Sequence, residues 1–178
     1  LNLTDTTADI GEAGVVVTKF KAAVDGGTGN EDVLLQALTL EQKGSAKVDE
    51  VVNVSLWIGN EQVGETIPTL DSRDKVTFDL TGLPDGGLLL RDGESRIFRV
   101  KADVIDGISS TVYFELDDSS DIIAVGTTYG FGVFICEDNS ANAPACSDTG
   151  TDALWDNATD SNWVSIAGGD LSFAFFSV

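Results

Sequence analysis

The chain has 178 residues, 30 acids against 10 bases, a formal charge of −20, no histidine and no methionine. That length fits one domain, and such a charge repels nucleic acid and anionic lipid while attracting cations. Without histidine there is no Ser-His-Asp or Cys-His catalytic arrangement, and a carboxylate pair arises by chance among 30 acids, so an enzyme is not expected.

Residues 1–14 read as an N-terminal arm. Leu1, Leu3 and Ile10 stand among threonines and aspartates, and Gly11-Glu12-Ala13-Gly14 forms a hinge. The chain opens on Leu1 and contains no methionine, as expected of a mature chain after leader removal. From residue 15 onward the apolar pattern has period two. Strands are expected over residues 15–22, 33–40, 51–58, 75–80, 97–104, 111–116, 129–135 and 171–178, rich in β-branched and aromatic residues. Asp25-Gly26-Gly27, Pro84-Asp85-Gly86-Gly87, Arg91-Asp92-Gly93 and Asp106-Gly107 punctuate them, and Gly59-Asn60 reads as a two-residue hairpin turn. Residues 31–43 have some helical spacing, but Leu-Thr-Leu alternation there favours a strand. Trp57, inside an apolar run, is expected in the core. About eight to ten strands without crossover helices define an all-β chain, an antiparallel β-sandwich or jelly roll occupying residues 15–178.

Residues 136–163 break the pattern as a polar, acidic loop insertion. Cys136 and Cys146 flank nine polar or small residues, and no other soft ligand exists to complete a metal site. A local disulfide closing the acidic loop is expected, and with it an oxidising, extracellular setting. Beyond Lys101 the chain carries no lysine or arginine but thirteen acids. Asp117, Asp118 and Asp121 after a strand, and Asp148 and Asp152 in the loop, supply the oxygen-rich turns that calcium prefers, without the ordered EF-hand spacing. Asn2, Asn53 and Asn157 head sequons for glycosylation. No apolar run is long enough to span a bilayer.

Three stretches carry a resemblance: Val15-Val16-Val17-Thr18-Lys19-Phe20-Lys21-Ala22, Val52-Asn53-Val54-Ser55-Leu56-Trp57-Ile58-Gly59, and Ile97-Phe98-Arg99-Val100-Lys101-Ala102-Asp103-Val104. With residues 35–46 they resemble, in style and order, the β-sandwich subunits of bacterial and archaeal extracellular filaments, cannula-type tubes and surface layers. The resemblance covers somewhat over half the chain. It implies a pilus-like, self-assembling homopolymer at the cell surface, in which an N-terminal donor strand completes the next subunit and calcium aids assembly. Leu1, Leu3 and Ile10 are then the donor anchors. The cysteine-bearing loop departs from that pattern. The alternative is a secreted, calcium-dependent carbohydrate-binding or adhesin module with glycans or neighbouring surface proteins as partners, and with Trp155 and Trp163 in its loop face.

Overall fold

A computed structural model describes residues 7–24, 30–133, 135–138, 163–165 and 171–176. Among them are twelve strands, two 3-10 turns and no α-helix. The all-β, antiparallel sandwich expected from the alternation is the observed fold. One sheet runs β10 (Cys136–Asp138), β11 (Trp163–Ser165), β12 (Leu171–Phe176), β1 (Val15–Val24), β7 (Ser95–Val104), β3 (Val51–Ile58) and β4 (Glu61–Thr69). The second is built on β2 (Val33–Gln42). β5 (Lys75–Asp79) and β6 (Leu88–Leu90) share one of its edges, and β8 (Phe114–Glu115) and β9 (Ile122–Gly126) share the other.

The stretch 31–43 holds the strand Val33–Gln42, as Leu-Thr-Leu alternation favours, but strict period two fails inside it. Val33, Leu35, Leu38 and Leu40 are all buried, although Leu35 and Leu38 differ in parity. A bulge between Leu35 and Ala37, against Ala124 and Ile123 of β9, absorbs the extra residue. Without it Leu38 and Leu40 would point into water. A second bulge between Val16 and Thr18 of β1 turns both Val17 and Thr18 inward.

The inward faces form one apolar cluster, with Phe20, Leu56 and Phe98 from the first sheet and Leu35, Leu38, Leu40, Phe78 and Phe114 from the second. Phe20 and Phe98 sit opposite each other on β1 and β7, their rings stacked at 4.9 Å. Thr18, Gln42 and Ser55 are the buried polar side chains among the described residues, and Thr18 joins the sheets. Its hydroxyl accepts the Phe114 N–H at 2.7 Å, which ties β1 of one sheet to β8 of the other, and it donates to Val17 O at 2.8 Å. Buried Gln42 is likewise satisfied, donating to Ala46 O at 2.6 Å and accepting from Gly44 N–H. Gly44 is obligatory there, because a Cβ would run into the Thr111 carbonyl.

Several expectations need correction. Trp57 is not core. Leu56 takes the inward position, so Trp57 lies half-buried on the outer face, its Nε1–H donating to Ser55 Oγ at 2.9 Å. The described residues of the expected strand 129–135 do not form a strand of their own. The chain turns at 127–130, Phe131 is 75% exposed, and only a Val125–Gly132 bridge is made. The ends of the expected loop insertion are strands, since β10 and β11 pair antiparallel through Cys136–Ser165 and Asp138–Trp163. β4 follows β3 across the Gly59-Asn60 turn, with Ile58 opposite Glu61, which is the hairpin expected there. No helix among the described residues is long and apolar enough to cross a membrane.

Two substitutions test this packing. Thr18→Val keeps the shape but strands the buried Phe114 N–H, and should cost about 1–3 kcal/mol in urea unfolding. Gly44→Ala should lower the unfolding midpoint although it adds only a methyl.

Candidate functional site

Three of the candidate oxygen ligands follow β8 on the outer side of the second sheet. Cross-strand register sets Lys75, Glu41 and Glu115 in one row across β5, β2 and β8. Lys43 lies two residues beyond Glu41, and Asp117 two beyond Glu115, so period two keeps all five on one face. Lys43 Nζ contacts Glu41 Oε1 at 2.7 Å and Asp117 Oδ1 at 2.9 Å. Lys75 Nζ lies 3.3 Å from Asp121 Oδ2 and 3.5 Å from both Glu41 Oε2 and Asp117 Oδ2. The two ammoniums therefore sit where a cation would sit for Asp117 and Asp121. Asp118 accepts the Ser120 N–H at 2.8 Å, closing the 3-10 turn at Ser119–Asp121. The described residues hold no group of three or more histidine, cysteine or acidic side chains placed to bind a metal ion. Asp148 and Asp152 lie outside the described residues, as do Cys146 and with it the expected disulfide.

Desolvation pulls the Lys43 ammonium down but is outweighed by hydrogen bonds to Glu41 and Asp117 and by their charges, so its pKa is raised. Lys75 is raised in the same way against its own desolvation, chiefly by the charge of Asp121 and the hydrogen bond to it. The Lys43 hydrogen bond holds the Asp117 carboxyl low. Glu115 goes the other way. Burial raises it, Lys43 partly offsets that, and Asp117 and Glu41 add to the rise.

Elsewhere the carboxylates serve the backbone. Asp71 accepts the Arg73 and Lys75 N–H groups at 2.8 and 2.9 Å. Glu31 accepts those of Thr128 and Tyr129 at 2.6 and 3.2 Å, and Asp32 that of Asp92 at 2.8 Å. Glu31 and Asp32 are thus turn clasps.

At one end of the sandwich, the arm meets β7. Gly11 N–H donates to Val104 O, Val104 N–H to Glu12 O, and Gly14 N–H to Asp103 Oδ1, all at 2.8–2.9 Å. The hinge is thereby docked on its own molecule, while Ile10 remains 50% exposed. Val48, Ile105 and Ile108 are also exposed. They lie on turns joined through Glu50, whose carbonyl accepts Ile105 N–H and whose carboxylate accepts the Ser110 hydroxyl. Leu1 and Leu3 are outside the described residues. So are Asn2 and Asn157. Asn53 is exposed, has φ +53°, and donates through Nδ2 to Asp103 Oδ2 at 2.8 Å.

At the side of the sandwich where β4 and β6 form the sheet margins, a cleft of about 290 Å³ opens. Ile58, Val63, Leu83 and Leu88 give it an apolar floor, and Glu61, Asp85 and Arg96 rim it. No sequence pattern pointed to this cleft, because its walls come from opposite sheets.

Acid should destabilise the protein in a defined sense. Asp71 is lowered by the Lys75 and Arg73 amides, Asp79 by the Thr81 hydroxyl and amide, Glu94 by Arg96, and Asp117 by Lys43. Their contribution is complete above the unfolded values of 3.8 for aspartate and 4.5 for glutamate, and is lost as pH falls through the lower folded ones. For Lys43 and Lys75 the contribution is complete below 10.5 and is lost as pH rises through the higher folded values. Urea midpoints should fall at both extremes. Glu115→Gln removes a desolvated charge and should leave the neutral-pH midpoint unchanged or higher; a large drop would contradict the raised carboxyl. Compared with family models, with curated proteins and with solved structures, the chain matches none.

Proposed function

We propose that the chain is the structural subunit of an extracellular filament, tube or surface layer, joined to its neighbours by strand complementation. The observation that carries this reading is the pairing of an exposed Ile10, just before a hinge clamped to β7, with an apolar-floored cleft at the margins of β4 and β6. A donor segment needs main-chain partners at a sheet margin and pockets for alternate side chains. β6 pairs with β2 over only three residues, which leaves its margin short. Leu88 and Val63 line the cleft beside it. Leu1, Leu3 and Ile10 are the anchors for that cleft in the adjacent copy. Pro68 on β4 limits pairing there, as is common on margins that must not zip indiscriminately.

Calcium enters this reading through Asp148 and Asp152. At Asp117 and Asp121 it would have to displace Lys43 and Lys75. The rival, a glycan-binding module, draws support from the exposed Tyr129 and Phe131, and it would bind sugars as a monomer.

Removing residues 1–10 should convert assemblies to monomers with the same far-UV spectrum, seen by electron microscopy and sedimentation. Leu88→Arg should do the same from the acceptor side. Persistence of filaments in both variants refutes strand complementation, and glycan-array binding by a monodisperse monomer would favour the rival.

A further inference from the structure

The cleft beside β4 and β6 holds one basic side chain whose hydrogen-bonding capacity is mostly unspent. Arg96 stands near the start of β7, in the same alternation as the buried Phe98, Val100 and Ala102, so it points between the sheets and lines the cleft. Its side chain is 29% exposed, and its Nε–H donates to Glu94 Oε1 at 2.8 Å. Among the described residues its two Nη groups meet no carboxylate or carbonyl. Those groups form a fork that fits a carboxylate. Water serves them while the cleft is open. Apolar side chains laid on the floor of Ile58, Val63, Leu83 and Leu88 would displace that water and leave the fork unpaired, which is costly. The occupant therefore has to bring a carboxylate together with its apolar groups.

The arm carries that combination. A donor extended along a sheet margin points every second side chain into the acceptor, and Leu1, Leu3 and Asp5 are such a set. Asp9 shares their parity, but its N–H donates to Glu12 Oε2 at 3.1 Å and its carbonyl accepts the Glu12 N–H at 3.0 Å, which hold it at the hinge. Ile10 lies in the turn that ends the arm, where the alternation no longer applies. The hinge is bound at Val104 and the cleft opens beside Arg96, towards opposite ends of β7. Eight residues, or roughly 26 Å, separate Val104 from Arg96, while six extended residues from Gly11 to Asp5 span about 20 Å. The backbone of the arm thus stops short of its own Arg96. A donor at one end and an acceptor at the other join copies head-to-tail, in a contact that propagates.

We infer that Arg96 is the positioning residue that sets the donor's register in the cleft, and that its ligand is the Asp5 carboxylate of a second copy of this chain. The inference rests on the strand complementation proposed above. Two leucines spaced by two tolerate a slip of two residues, because Leu3 can take the place of Leu1. A single aspartate does not. A slip of one residue turns Asn2, Thr4 and Thr6 inward, and a slip of two sets Leu3 or Thr7 against the guanidinium. Glu61 and Asp85 on the rim repel a carboxylate placed anywhere but at Arg96, which narrows the choice further.

Charge exchange in the full chain tests it. In sedimentation at about 0.1 M salt, Asp5→Arg alone and Arg96→Asp alone should each associate roughly tenfold or more weakly than the wild type. An equimolar mixture of the two should recover association, because each exchanged donor finds an exchanged cleft and each native donor a native one. Asp9→Arg makes the same change in net charge as Asp5→Arg and should leave association as it was. Should Arg96→Asp fail to give the wild-type far-UV spectrum, Arg96→Gln and Asp5→Asn combined in one chain should associate no more weakly than either alone, since both remove one contact. Unchanged association in the Asp5 variants or in a folded Arg96 variant, a loss that mixing does not repair, or an equal loss with Asp9→Arg would each overturn the inference. So would a wild type that stays monomeric and binds only free acetate through Arg96, which assigns the cleft to a small carboxylate. If removal of residues 1–10 abolishes association and the point changes do not, strand complementation stands and the Asp5–Arg96 contact is refuted. If assembly survives that removal, both fall.

Discussion

The second sheet depends on one irregularity, the bulge between Leu35 and Ala37. β2 is paired on both sides over most of its length, by β5 and β6 along one edge and by β8 and β9 along the other. Four short strands therefore take their register from it. The bulge lets Val33 and Leu35 share a face with Leu38 and Leu40. Burying four large aliphatic side chains contributes on the order of 1.5–3 kcal/mol each, far more than an interrupted ladder bond forfeits. The interruption is also used, since Gln36 O accepts Leu80 N–H at 2.8 Å where the chain leaves β5.

Shortage of cations shapes the rest. With three acids to each base, most carboxylates cannot find an ammonium, and in this fold they accept backbone N–H groups at turns instead. Asp71, Asp79, Glu31 and Glu50 each hold a turn that leads into or out of a strand. Some still meet a cation, as Glu94 does Arg96 and Asp71 does Arg73, and Lys43 and Lys75 concentrate positive charge where Glu41, Asp117 and Asp121 converge. Exposed ion pairs contribute little singly, roughly 0–1 kcal/mol. Here two half-covered ammoniums each serve more than one acid, which makes the network a local fastening between β2, β5 and the segment after β8.

Period-two alternation determined the fold class, because burying one face of a strand leaves a trace in the residues that no neighbour can erase. The Gly59-Asn60 hairpin was legible for a similar reason, being local. Trp57 was misread as core because an apolar run does not say which parity faces inward. That the aspartates after β8 meet ammoniums was not legible, because Lys43 and Lys75, 74 and 42 residues away from Asp117, reach it only through pairing with β2. The cleft and the bulge in β2 are likewise products of register between distant strands. Local chemistry is written along the chain, whereas which charges become neighbours is settled only when the sheets align and pack.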